Sequence, residues 1–140
     1  MSWIAYALLS AFFASLVAIF GKMGIKGIDS NLAVAIRTVI IVVFAWAIVL
    51  IQGNWAEMFK ISKYSYTFIF LSAIATGLSW LFYYKALQLG EVSRVVPIDK
   101  LSIALTIILA FVFLAEKPTL GNVLGGTLVT VGVLVTVFIK

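Results

Sequence analysis

The sequence predicts an all-α integral membrane protein of five transmembrane helices, on three observations. First, 64% of the residues are hydrophobic and only 11% are charged, whereas a soluble domain carries roughly 45–50% apolar and about 25% charged residues. Small soluble domains bury the smallest fraction of their surface, so a chain of 140 residues could not hide this much apolar area from water. Second, the apolar residues fall into five runs near the ~20 residues that a spanning helix needs. Third, the connectors carry turn and cap chemistry, and none could hold a soluble domain.

The first span runs from Trp3 to Gly21. It lacks a basic n-region, and its apolar run to Phe20 is too long for the h-region of a signal peptide, so it reads as a membrane helix. Gly21, Gly24 and Gly27 break the first joint, and Asp29 or Ser30 caps the second helix, which runs from Asn31 to Ile51. Gln52, Gly53 and Asn54 end it. The segment from Trp55 to Tyr64 is the longest connector. Its Trp55, Met58 and Phe59 beside Lys60 and Lys63 predict a short helix at the membrane interface. The third span covers Tyr66 to Leu89 and stops at Gly90. Ser93 caps the fourth, which extends to Ala115, and Pro118 and Thr119 open the fifth, Leu120 to Ile139.

With no cysteine and no histidine, the chain has no disulfides, no thiolate or imidazole catalysis and almost no route to zinc or haem; no cofactor is expected. The net charge of +5 sits in short loops and at helix ends, which suits membrane topology and anionic headgroups rather than nucleic acid. Five spans place the termini on opposite sides. The N-terminal side carries Lys60, Lys63 and Lys117; the C-terminal side carries Lys22, Lys26, Lys85, Arg94 and Lys140. The positive-inside rule then puts the C-terminal side in the cytoplasm by a small margin, a margin that admits insertion in both orientations. Small residues mark close-packing faces: Ala7, Ala11, Ala14, Ser15 and Ala18 on the first helix, and Gly121, Gly125 and Gly132 on the fifth. Packing within one chain accounts for such faces more readily than a dimer contact.

Arg37, Asp99 and Lys100 lie inside otherwise apolar spans, where an ionisable residue is costly and marks a functional hypothesis. Arg37 is seven residues beyond Ser30 and Asp99 six beyond Ser93, so both sit roughly 10 Å below the start of their helices. One reading is a buried Arg37–Asp99 salt bridge that locks two helices together. The other adds Lys100, left uncompensated by that pair and facing a hydrated cavity. Lys100 points about 100° away from Asp99 around the helix, so the two cannot face one point. Lys85, a turn before the end of the third helix, can snorkel. Pro97 beside these charges either bends the helix or is tolerated in its first turn. The third helix aligns Ala73, Gly77, Trp80 and Tyr84 on one face. Its small residues leave space, and its aromatics offer stacking surface with a polar handle.

No catalytic constellation accompanies these charges. Intramembrane aspartyl proteolysis needs two aspartates and only Asp99 lies within a span; there is no G-x-S-x-G, P-loop or dinucleotide fingerprint. An enzyme is not expected.

The segment Tyr84-Lys85-Ala86-Leu87-Gln88-Leu89-Gly90-Glu91-Val92-Ser93, followed by Pro97, resembles a pattern of the EamA-like module of the drug/metabolite transporter superfamily. That pattern has Tyr, then Ala-Leu, then Gly, Ser and Pro across the joint of helices three and four. Glu116, the glycines Gly125, Gly126 and Gly132, and Arg37 also stand where the family has similar residues, so the resemblance covers the whole chain. Asp99 and Lys100 depart from it: family members often have a second proline or apolar residues there, and the polar pair is similar to the short, single-module branch. The resemblance implies one five-helix module over residues 1–140, half of a ten-helix transporter whose two modules are inverted. It implies a half-size secondary transporter of a small metabolite or drug in a bacterial inner membrane, working by alternating access as a homodimer, with the antiparallel arrangement favoured. Helices one, three and four would line the path. Trp80 and Tyr84 would meet substrate beside Gly77, Lys85 and Pro97, and Arg37, Asp99 and Lys100 would set the local charge. The rival expectation is a non-transporting membrane subunit that binds a partner protein or anionic lipid headgroups. A scaffold should pack the space around Gly77 and Trp80 solid; a transporter should leave it open.

Overall fold

The computed structural model describes residues 2–139; Lys140, counted above among the C-terminal-side charges, lies outside them. The described residues form six α-helices: α1 (Trp3–Gly24), α2 (Ser30–Gln52), α3 (Lys63–Leu89), α4 (Val92–Asp99), α5 (Ser102–Leu114) and α6 (Leu120–Phe138). A 3₁₀ helix, Asn54–Lys60, joins α2 to α3, where the amphipathic connector predicted a short interfacial element. Five spans among them are long and apolar enough to cross a membrane, with α4 and α5 together making the fourth. The chain is a multi-pass membrane protein.

Helix ends follow local chemistry. Asp29 caps α2, its Oδ1 accepting from the N–H groups of Asn31 at 2.9 Å and Leu32 at 3.1 Å. Thr119 caps α6 through its hydroxyl, which accepts from Asn122 N–H at 3.2 Å. Gly53 closes α2 at φ +73°, a left-handed conformation open to glycine without strain. The fourth span is interrupted. Pro97 stands five residues beyond Val92, past the first turn, so the Ser93 carbonyl loses its helical donor. Two residues later, at Asp99, the helix ends. Lys100 N–H reaches Pro97 O, Leu101 N–H reaches Ile98 O and Ile103 N–H reaches Lys100 O, each at 3.0 Å, a run of tight i→i+3 bonds. The helix runs on through Pro97, and the interruption lies after it rather than at it.

The chain divides into two compact units. One spans residues 20–88, the end of α1 with α2, the 3₁₀ helix and α3. Its buried hydrophobic residues are Ile25, Val34, Tyr84 and Leu87, with Leu87 fully enclosed, and Ala33, Trp80, Leu81 and Tyr83 pack against this core. The other unit holds residues up to Ile19 and from Leu89 onward. There α6 packs along both α4 and α5, burying Val133, and a side chain at Gly126 would meet Ile107 Cδ1 at 2.9 Å. Gly125 and Gly132 have nothing within 4 Å of a would-be Cβ. The close approach within the chain is therefore made by Gly126 rather than by the Gly121–Gly125 pair.

Candidate functional site

In the unit of residues 20–88, α2 and α3 are brought together by the joint that precedes α2. Lys22 donates to the Leu87 carbonyl, and Gln88 Nε2 donates to Ile28 O at 2.9 Å. Lys85 Nζ in turn donates to Gln88 Oε1 at 3.1 Å, and its side chain is exposed. These bonds fix the last turns of α3 and so the rings one and two turns earlier.

On that platform lies Arg37. Its guanidinium carbon is 4.2 Å from the centroid of the Trp80 ring and 5.0 Å from that of Tyr84. Trp80 and Tyr84 are four residues apart and share a face of α3, so one planar cation covers both rings. Tyr84 is held rigidly, 6% exposed between Ile25 and Val34. No carboxylate completes the stack. The ion pairs among the described residues are Arg94–Glu91 at 3.9 Å and Lys100–Asp99 at 3.2 Å, and Asp29, the acidic residue on the same joint, is spent on capping α2. One turn before Trp80, a side chain at Gly77 would meet nothing within 4 Å. A second concavity in this unit, about 650 Å³, lies between the end of α2, the 3₁₀ helix and the start of α3, lined by Trp46, Trp55, Met58 and Tyr66 among others. Its apolar lining suits an acyl chain more than a polar solute.

In the other unit, Asp99 and Lys100 occupy the interruption of the fourth span. Lys100 Nζ donates to Asp99 Oδ2 at 3.2 Å. Within this unit Asp99 takes Lys100 as its partner, as Arg37 takes two aromatic rings within its own. The expectation that Asp99 and Lys100 diverge is corrected, because it assumed a continuous helix. Lys100 has ψ −5°, off the helical value, and caps α4 instead of continuing it.

Sequence reasoning named every residue of the stack and missed its arrangement. The available signal was an arginine whose joint holds one carboxylate, the cap residue Asp29, opposite a Trp and a Tyr at i and i+4. It also missed Gly21, where a Cβ would stand 3.0 Å from Tyr84 Oη; nothing in the spacing of the glycines distinguished it from Gly24.

The comparisons with known proteins agree with this picture. The model of the EamA-like transporter family matches residues 1–138. An uncharacterized transporter encoded in the cobO 3′ region of a Sinorhizobium species is 46% identical over 133 residues, covering 95% of this chain and 94% of that one. An uncharacterized protein of Methanocaldococcus jannaschii is 30% identical over 100 residues, 65% of this chain and 73% of that one. The uncharacterized transporter YvbV of Bacillus subtilis is 32% identical over 129 residues, 89% of this chain but 41% of its own length. No solved structure matches. A family match over nearly the whole chain, on a scaffold of five membrane-length helices, means that this protein belongs to the EamA-like transporter family.

Proposed function

We propose that the chain is a half-size secondary transporter of a small metabolite or drug, working as a dimer by alternating access in a bacterial inner membrane. The observation that carries this reading is the Arg37–Trp80–Tyr84 stack with open space at Gly77. A permanently charged group inside a span needs water, a counter-charge or a guest, and the rings hold it in place without neutralising it. A Cβ at Gly77 would meet nothing within 4 Å, and this room one turn before Trp80 suits a guest better than a solidly packed scaffold.

Pairing of two modules is supported by size. The chain covers nearly all of the Sinorhizobium transporter but less than half of the B. subtilis one, so similar modules occur alone and inside longer chains. Five spans per module turn a second copy upside down when the two are joined in tandem, which gives the inverted repeats common in secondary transporters. A lone module recovers that symmetry by antiparallel association. Asp99, the acidic residue within the interrupted fourth span, is the proton-relay candidate.

Two measurements test the proposal. Purified protein in proteoliposomes should move solute under an imposed proton or sodium gradient, and Arg37→Gln should abolish the flux; absence of flux for any solute under any gradient overturns transport. Orientation is read from a cysteine appended after Lys140, since the chain has none of its own. Labelling of about half the molecules by an impermeant thiol reagent in intact cells is expected. Labelling of all or none overturns the antiparallel homodimer.

A further inference from the structure

The geometry of the stack points to a substrate class: we infer that the site accepts solutes with one carboxylate and an apolar or aromatic body, and rejects organic cations. The inference rests on the transport reading and narrows it. A quaternary ammonium binds to aromatic faces, but one face each of Trp80 and Tyr84 is already covered by the Arg37 guanidinium at 4.2 and 5.0 Å. A second cation would meet both an occupied surface and a like charge, whose repulsion grows as water is excluded.

The same stacking leaves the edge of the guanidinium free. Arg37 is half-buried, and among the described residues no carbonyl or carboxylate accepts from its N–H groups. Five donors in a planar fork match two coplanar carboxylate oxygens. The fork itself favours a carboxylate, offering its two oxygens a coplanar pair of donors on one cation, while Lys22 and Lys85 direct N–H groups to Leu87 O and Gln88 Oε1. Gly77 stands three residues before Trp80, about 4.5 Å along α3, and the open space there receives the uncharged part of the solute beside the indole.

The test measures binding apart from transport. Equilibrium dialysis of radiolabelled benzoate against wild-type protein in neutral detergent should show saturable binding of one benzoate per chain. Unlabelled benzoate should displace it; benzamide, which has the same shape without the charge, and tetraphenylphosphonium should not. Arg37→Lys keeps the charge but loses the fork and the stacking, and should weaken benzoate at least tenfold. Absence of benzoate binding, displacement by benzamide or tetraphenylphosphonium, or an Arg37→Lys affinity within twofold of wild type overturns the inference. So does permanent occupancy by phosphatidylglycerol that benzoate cannot displace, which would assign the edge to a lipid headgroup. The wild-type competition needs no variant, so it decides the matter even if Arg37→Lys fails to fold. Benzoate that binds through Arg37 but is never moved overturns transport and keeps the carboxylate site; flux of another solute without Arg37-dependent benzoate binding does the reverse.

Discussion

Replacing Gly21 with alanine adds one methyl group to the tightest helix contact in the unit of residues 20–88. The added carbon would stand 3.0 Å from Tyr84 Oη, 3.3 Å from Tyr84 Cζ and 3.6 Å from Leu87 Cδ1. Neither neighbour can easily withdraw, because Tyr84 is 6% exposed and Leu87 0%. Overpacking of this kind costs about 1–3 kcal/mol. Alanine also gains helix propensity over glycine, by about 1 kcal/mol in a helix interior, which would mask part of the loss. Gly24, three residues on in the same helix, supplies the control, since a Cβ there meets nothing within 4 Å. Gly24→Ala should be neutral or slightly stabilising, and Gly21→Ala should fall below it by about 1–3 kcal/mol. Tyr84→Phe removes the nearest atom and should recover part of the loss when combined with Gly21→Ala, a coupling of at least about 0.5 kcal/mol. The recovery is partial because Cζ remains. Helicity followed through an SDS titration in mixed micelles gives all four free energies. Equal stability of the two alanine variants, or strict additivity with Tyr84→Phe, would refute the contact.

Three further outcomes follow from features already described. Asp29→Ala leaves the Asn31 and Leu32 N–H groups without their cap and should cost about 1 kcal/mol in the same titration, with Asp29→Asn close to wild type. Ala115 lies at φ 53°, ψ 24°, where an L-residue pays roughly 1–2 kcal/mol. Ala115→Gly should therefore stabilise by about 0.5–1 kcal/mol after the added unfolded-state entropy of glycine; a loss of stability would show that the turn depends on the methyl group. Trp80→Leu removes the closer ring from Arg37 and should lower stability by about 0.5–2 kcal/mol, whereas the same change in an Arg37→Gln background should cost measurably less.

The spans were legible because membrane length and apolar composition are one-dimensional properties. The first was expected over residues 3–21 and observed over 3–24, the second over 31–51 and observed over 30–52, the third over 66–89 and observed over 63–89. What escaped was rotational or conformational. The face of α2 that carries Arg37 meets Trp80 and Tyr84 of α3, a fact about azimuth that a single helix does not encode. The end of α4 escaped because Lys100 and Leu101 are ordinary helix residues that give no local stop signal. Ala115 in a left-handed conformation could not be read, since alanine signals helix continuation and the glycine usual at that position is absent.

The interruption at Lys100 and Leu101 also sets the thickness of membrane this protein fits. Beyond it, α5 has 13 residues, a rise of about 20 Å, against a hydrocarbon layer of about 30 Å. The remaining depth falls to α4, which carries Arg94 and Asp99 and cannot lie against acyl chains. The fourth span as a whole, Val92–Leu114, is long enough to cross, but its share of one leaflet, about 10 Å of α4, carries charge. That leaflet must thin or draw headgroups and water inward around α4, so the thickness of the surrounding lipid becomes a control on the protein. Short-chain lipids would relieve the deformation, and long-chain lipids would press on the very segment that bears the charges.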